Sequence, residues 1–358
     1  MTSQFLKDLT VIELAGVLAG PSAGMFFAEL GARVIKIENP ETGGDVTRSW
    51  KLASEDPHSP VSAYYASVNW NKEVRFTNLK SESGKKEVYG LITSADIVIT
   101  NFKTGDAEKM GFDAGSLFAL NDKLIYAAIS GFGPADRRSA FDLVLQAESG
   151  FMSMNGTQDS GPLKMPVAMI DILAAHQLKE GILVALLNRT KTGKGAQVHV
   201  SLFDAAVASL ANQASNFLMT GTIPQRMGSL HPNIAPYGET FSCSDGREIV
   251  LAVGSDKQFA ALCSLLGKKE LANDPRFSAN ASRVVHRQAL QDMLSGIFPA
   301  TDSASWLKKL AEHEIPAGLI RNLAEVFDDE SARKLILEAR EQGTATRRVR
   351  SAIFSITC

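Results

Sequence analysis

Two short apolar runs, Leu9-Thr10-Val11-Ile12-Glu13-Leu14 and Val34-Ile35-Lys36-Ile37-Glu38, bracket a single helix's worth of chain. Both suit strands buried on two faces, because their apolar residues run on without the alternation of a half-exposed strand. Between them lies the loop Gly16-Val17-Leu18-Ala19-Gly20, with Pro21 where a first helical turn tolerates proline. Met25, Phe26 and Leu30 then mark a helix that Gly31 ends. Strands joined through a helix pair in parallel by a right-handed crossover, and a parallel sheet needs helices on both faces. The unit therefore implies an α/β fold with a Rossmann-like parallel sheet.

The pattern repeats at Asp96-Ile97-Val98-Ile99-Thr100 and at Leu124 to Ile129. Ligands of open α/β sheets bind outside the carboxyl ends of the strands, so the loops at Gly16, Asn39, Asn101 and Gly131 are expected on one face. An amphipathic helix is expected from Asp171 to Thr190, ended by Thr192-Gly193-Lys194-Gly195. A strand should follow over Gln197 to Leu202, and a further helix from Phe203 to Met219. Past about residue 220 the chain turns breaker-rich, with Thr222-Ile223-Pro224, His231-Pro232-Asn233 and a hairpin signal at Ser244-Asp245-Gly246. We read 1–224 as a large domain, 225–325 as a smaller α+β domain and 326–358 as a segment returning to the large domain, with a weak strand pattern from Thr344.

With 37 basic and 39 acidic residues the net charge is -2, so no global field draws nucleic acid or an anionic membrane. A local basic patch facing a phosphorylated ligand remains compatible with that balance. No apolar stretch approaches the ~18 residues of a membrane span. The start, MTSQFLKDLTVIELAG, lacks the basic and apolar regions of a signal peptide. Cys243, Cys263 and Cys358 form no zinc or redox spacing, which fits a reducing, cytoplasmic setting.

Four features bear on chemistry. The loop G-V-L-A-G-P-S-A-G breaks the G-x-G-x-x-G spacing of a dinucleotide site, which excludes it as a fingerprint. Asp171 is a lone acid after six uncharged residues and before an apolar helix. Taken by itself it reads as an N-cap, and that position would also favour its anion. Arg48, Lys72, Lys103 and Lys109 are cations on the early loops, each ordinarily a solvated charge, together able to meet phosphates. The histidines are scattered without metal spacing, and no G-x-S-x-G or Ser-His-Asp pattern occurs.

Ordered segments along nearly the whole chain resemble the class III CoA-transferases. They are Val11-Ile12-Glu13-Leu14, Ala19-Gly20-Pro21, Leu30 to Glu38, Gly44-Asp45, Thr47-Arg48, Asn69-Trp70-Asn71-Lys72 and Asn101-Phe102-Lys103. Leu124-Ile125-Tyr126, Ser130-Gly131-Phe132-Gly133, Phe141-Asp142-Leu143 and the helix from Asp171 to Gly195 complete the set. The resemblance implies that Asp171 is a nucleophile working through an aspartyl anhydride and an aspartyl-CoA thioester. It implies a CoA site formed by Val17, Leu18, Asn39, Lys72, Asn101, Phe102, Lys103, Lys109, Met110 and Asp142. It implies an interlocked homodimer, CoA as substrate rather than prosthetic group, a carboxylic acid as second substrate, and no metal, nucleic acid or membrane partner.

Two departures refine this. The counterpart of the mobile glycine loop of formyl-CoA transferases reads Gly228-Ser229-Leu230-His231-Pro232-Asn233, which is more similar to the branch for larger acids, including dicarboxylates. The 2-methylacyl-CoA racemase branch carries a histidine where this chain has Phe141, a residue that cannot exchange protons. A racemase stays as the alternative, and a CoA-binding protein without activity as a third reading.

Overall fold

The computed structural model describes residues 4–357, so Cys358 lies outside the described residues. These residues divide into two compact units, one drawn from 4–151, 164–216 and 331–357, the other from 152–163 and 217–330. The borders differ from those read off the sequence: the second unit starts at 217, ends at 330, and takes in 152–163 as well.

The first unit carries six parallel strands: β1 (Thr10–Glu13), β2 (Arg33–Glu38), β3 (Glu73–Phe76), β4 (Ile97–Thr100), β5 (Ile125–Ser130) and β6 (Ala196–Ser201). Their order is β3-β2-β1-β4-β5-β6, the doubly wound order whose direction of winding reverses between β1 and β4. The helices between them are α1 (Ala19–Glu29), α2 (Ala63–Ala66), α3 (Glu82–Ile92), α4 (Asp106–Met110), α5 (Ala114–Leu120) and α6 (Asp142–Glu148). Then come α7 (Phe151–Met154), α8 (Met169–Thr192) and α9 (Leu202–Ala208).

The strand pleat sorts side chains to two cores. Val11, Ile97, Ile99, Ile125 and Ala127 pack with Phe27, Ala174 and Leu178 on one face. Ile12, Val98, Leu124 and Tyr126 pack with Val88, Ile92 and Leu117 on the other. Burial on both faces is what the continuous apolar runs required.

β3 is absent from the sequence reading. It is an edge strand whose Glu73 and Arg75 face solvent and pair with each other, so it has no apolar run. The expected helix from Phe203 to Met219 is two helices, α9 and one over Ala211–Thr220, broken where Ala211 takes φ 48°. The C-terminal pattern forms an antiparallel pair, β10 (Ile336–Glu341) with β11 (Thr344–Val349). In the second unit, β7 (Tyr237–Ser242), β8 (Glu248–Ala252) and β9 (Ala317–Leu319) form an antiparallel sheet. The β7–β8 hairpin turns at Gly246, whose φ of 74° suits glycine. Phe241, Leu251, Phe259, Leu262, Phe298 and Trp306 fill this unit's core. Among the described residues no helix is long and apolar enough to cross a membrane.

Candidate active site

Where the sheet order reverses, the loops after β1 and β4 diverge and leave a crevice. Asn101 spans it, donating to the Gly16 carbonyl (2.8 Å) and accepting from the Gly16 amide (3.0 Å). Above this tie opens a cavity of about 320 Å³ lined by Val17, Leu18, Phe102, Lys103, Arg137 and Asp171, among others. Val17 holds φ at 70°, costly for a β-branched residue, by about 1–3 kcal/mol. Its amide is held there by the Asp45 carboxylate at 3.2 Å.

Asp171 sits in the first turn of α8 and is only 7% exposed. It is not the cap that the sequence suggested: the N-cap is Ala168, with no side-chain bond to the helix. The free amides of that turn are taken from outside. Asp142 Oδ1 accepts from Ile170 N at 2.7 Å and from Asp171 N at 3.3 Å, and Val167 O accepts from Met169 N. The helix terminus therefore spends its donors on another acid rather than on the Asp171 carboxylate. Burial, and then the Asp142 carboxylate, push the Asp171 carboxyl up to about 7. Tyr64 on α2 shares this field: burial, then Asp171 and Asp142, raise its phenol above the usual value.

The other expected site residues separate. Val17, Leu18, Asn101, Phe102 and Lys103 line the Asp171 cavity, though the Asn101 amide is spent on Gly16. Asn39 lines a neighbouring cavity at the end of β2, and its side chain caps the turn that follows, accepting from Glu41 N. Met110 packs partly against the core, and Lys109 is exposed and pairs with Asp106 at 3.3 Å. Neither lines the Asp171 cavity, and nor does Asp142, which lies at the base of α8.

Lys72 requires correction. Its side chain is 0% exposed, and Nζ donates to both Glu13 oxygens, to Pro21 O and to Asn69 Oδ1, all within 3.0 Å. These bonds leave no face for a phosphate. Gly24 makes room for the pair, since a Cβ there would stand 1.9 Å from Glu13 Oε2. Arg48 is likewise consumed by Glu38, Tyr65 and the Pro60 carbonyl.

Sequence reasoning missed Tyr64, Asp45, Arg137 and Arg138. Arg138 is held by Asp136 and Glu148 and lies over the Phe132 ring. Arg137 is exposed into the cavity and, like Lys103, forms no side-chain hydrogen bond or ion pair among the described residues. The adjacent Asp136-Arg137-Arg138 after a Gly-Pro turn was the available signal. Among the described residues no group of three side chains could hold a metal.

Three comparisons bear on this geometry. The model of CoA-transferase family III matches residues 6–355. A succinate–glutarate CoA-transferase of Agrobacterium fabrum is 40% identical over 98% of this chain and 89% of its own. An acetyl-CoA:oxalate CoA-transferase of Acetobacter aceti is 35% identical over 92% of this chain and 85% of its own. Among solved structures, a CaiB/BaiF family protein from Brucella suis superposes with a TM-score of 0.82 at 40% identity, covering 98% of this chain and 92% of that one.

Proposed function

The chain belongs to CoA-transferase family III and is an enzyme of that class, and from this we propose that it moves CoA from an acyl-CoA to a small dicarboxylate with Asp171 as nucleophile. The observation that carries the reading is Asp171 itself: a buried carboxylate opening onto the cavity at the sheet's reversal point. A buried carboxylate has lost the hydration that blunts its nucleophilicity. Its oxygen attacks the thioester carbon, the C–S bond breaks, and CoA leaves as thiolate from a mixed anhydride. The thiolate attacks the aspartyl Cγ, releases the donor acid and leaves an aspartyl-CoA thioester. The acceptor carboxylate displaces the thiolate to form a second anhydride. The thiolate then attacks the acceptor's acyl carbon, which frees Asp171.

In this reading CoA lies along Val17, Leu18 and Phe102, with Lys103 and Arg137 as point charges for its phosphates. Asn39 in the adjoining cavity continues the same track. The two named relatives act on succinate, glutarate and oxalate, all dicarboxylates, which supports that acceptor class. An interlocked homodimer is part of the proposal. Supporting it, α8 leaves Leu183, Val184 and Leu187 exposed, with Val184 at 67% and Leu187 at 61%. The buried free thiols of Cys243 and Cys263 fit a reducing, cytoplasmic setting.

The test is chemical trapping. Incubation with an acyl-CoA followed by hydroxylamine should convert Asp171 alone to a hydroxamate, read by peptide mass, and Asp171→Asn should show neither trapping nor transfer. Transfer by the Asn variant near the wild-type rate would refute the assignment.

A further inference from the structure

We infer that Asp142 is a positioning residue for the nucleophile: from α6 it caps the α8 helix that carries Asp171, and it brings a second carboxylate onto the Asp171 backbone amide. The resemblance put Asp142 among the CoA contacts. Its geometry points elsewhere. Oδ1 takes the amides of Ile170 and Asp171, and Oδ2 takes Gln146 Nε2 at 2.5 Å. Gln146, one turn on along α6, is fully buried and accepts from Met165 N at 2.8 Å. One face of α6 thus grips the approach to α8 at Met165 and again at Ile170 and Asp171. That grip replaces the missing N-cap at Ala168.

The arrangement has a consequence for protonation. A carboxylate at N3 of a helix is ordinarily favoured by free amides. Here those amides are occupied by a like charge, so Asp142 fixes the backbone of Asp171 while disfavouring its anion. The titratable groups coupled to Asp171 from packed elements are Asp142 on α6 and Tyr64 on α2, and Lys103, Arg137 and Arg138 line the same cavity. Productive binding of an anionic donor beside those cations would then find a nucleophile held in place but only partly ionised at neutral pH.

The inference rests on Asp171 being the nucleophile, so its test reads Asp171 directly as well as through turnover. Asp142→Asn keeps an acceptor for the α8 amides and removes the charge. Asp142→Glu keeps the charge and displaces the cap by one methylene. In protein labelled with ¹³C at aspartate Cγ, the resonance that titrates near neutrality and vanishes in Asp171→Asn reports the nucleophile. Its midpoint should fall by about one unit or more in Asp142→Asn, and the acid limb of kcat should move with it. Asp142→Glu should leave the midpoint near wild type and lower kcat about tenfold or more, with KM for acyl-CoA changed far less. An unmoved midpoint in Asp142→Asn overturns the inference, and so does an Asp142→Glu variant whose only defect is a raised KM. A moved midpoint in a protein that transfers no CoA would support the placement of Asp142 and count against the nucleophile reading alone.

Discussion

Replacing Lys72 separates two roles with opposite signatures. If the ammonium met a CoA phosphate, Lys72→Met would raise KM for acyl-CoA and leave the fold alone. The structure instead buries it against Glu13 with four hydrogen bonds, under Gly24 of α1. Methionine keeps the apolar stem but leaves Glu13 with Lys36 alone, at 2.9 Å, and removes the ammonium that Asn69 Oδ1 accepts from. Breaking a buried pair from one side costs about 3–5 kcal/mol. At about 2–4 °C per kcal/mol for a unit of this size, the melting temperature should fall by about 6–20 °C. KM for acyl-CoA, measured well below the new transition, should stay within about twofold, since no ligand contact is lost. Calorimetry with steady-state kinetics decides it. An unchanged melting temperature with KM raised about tenfold would return Lys72 to the phosphate site and refute the reasoning.

Four further outcomes follow from the site. As the proposed nucleophile Asp171 would have to be ionised to attack, and its carboxyl is pushed up to about 7, so kcat/KM should fall as pH drops through about 7. The folded protein also holds this proton more tightly than the unfolded chain, whose carboxyl titrates near 3.8, so stability from this group is present at low pH and lost as pH rises through about 7. Asp171→Asn should therefore be more stable than wild type above that pH, by up to about 4 kcal/mol in denaturant unfolding, and equal stability would count against the shift. Lys103→Ala and Arg137→Ala should each weaken acyl-CoA binding by about 1.5–3 kcal/mol at low salt, less at high salt, and titration calorimetry that finds no change would make these side chains mere surface charges. With a 2-methylacyl-CoA in D₂O no deuterium should enter C2, since Phe141 on the cavity wall cannot exchange a proton; rapid deuteration without CoA exchange against a broad panel of acids would favour the racemase.

What could be read from the sequence divides along physical lines. Strands buried on both faces announce themselves, because Val11 and Ile12, or Val98 and Ile99, must both be apolar. The edge strand Glu73–Phe76 does not, since its only partner is β2 and one face stays wet. The break at Ala211 is a backbone event with no glycine or proline to mark it. The assignment of 152–163 to the second unit depends on contacts such as Gly228 N to Gly156 O, far apart in sequence. Asp171 stood out as an isolated acid at a helix start, but its local role was misread. The helix starts earlier, at Met169, and its first amides, Ile170 N and Asp171 N, are claimed by Asp142, a residue 29 positions before Asp171.

The cations carry the sharper lesson. On sequence alone Arg48, Lys72 and Lys103 look equivalent, each on a loop near a strand end. What distinguishes them is the acid at the strand's last position. β1 ends in Glu13 and β2 in Glu38, both essentially buried, and a buried carboxylate must be paired. Glu13 takes Lys72 and Lys36, and Glu38 takes Arg48. β4 ends in Thr100 and β5 in Ser130, which demand no counter-ion. The loops after those two strands are where Lys103 and Arg137 are left without a protein partner among the described residues, facing the cavity. On one half of the reversal point charge holds the loops together; on the other it remains available to a ligand. The buried acids at the ends of β1 and β2 thus explain why Lys72 and Arg48 are spent inside the fold, while Lys103 and Arg137 face no such acid.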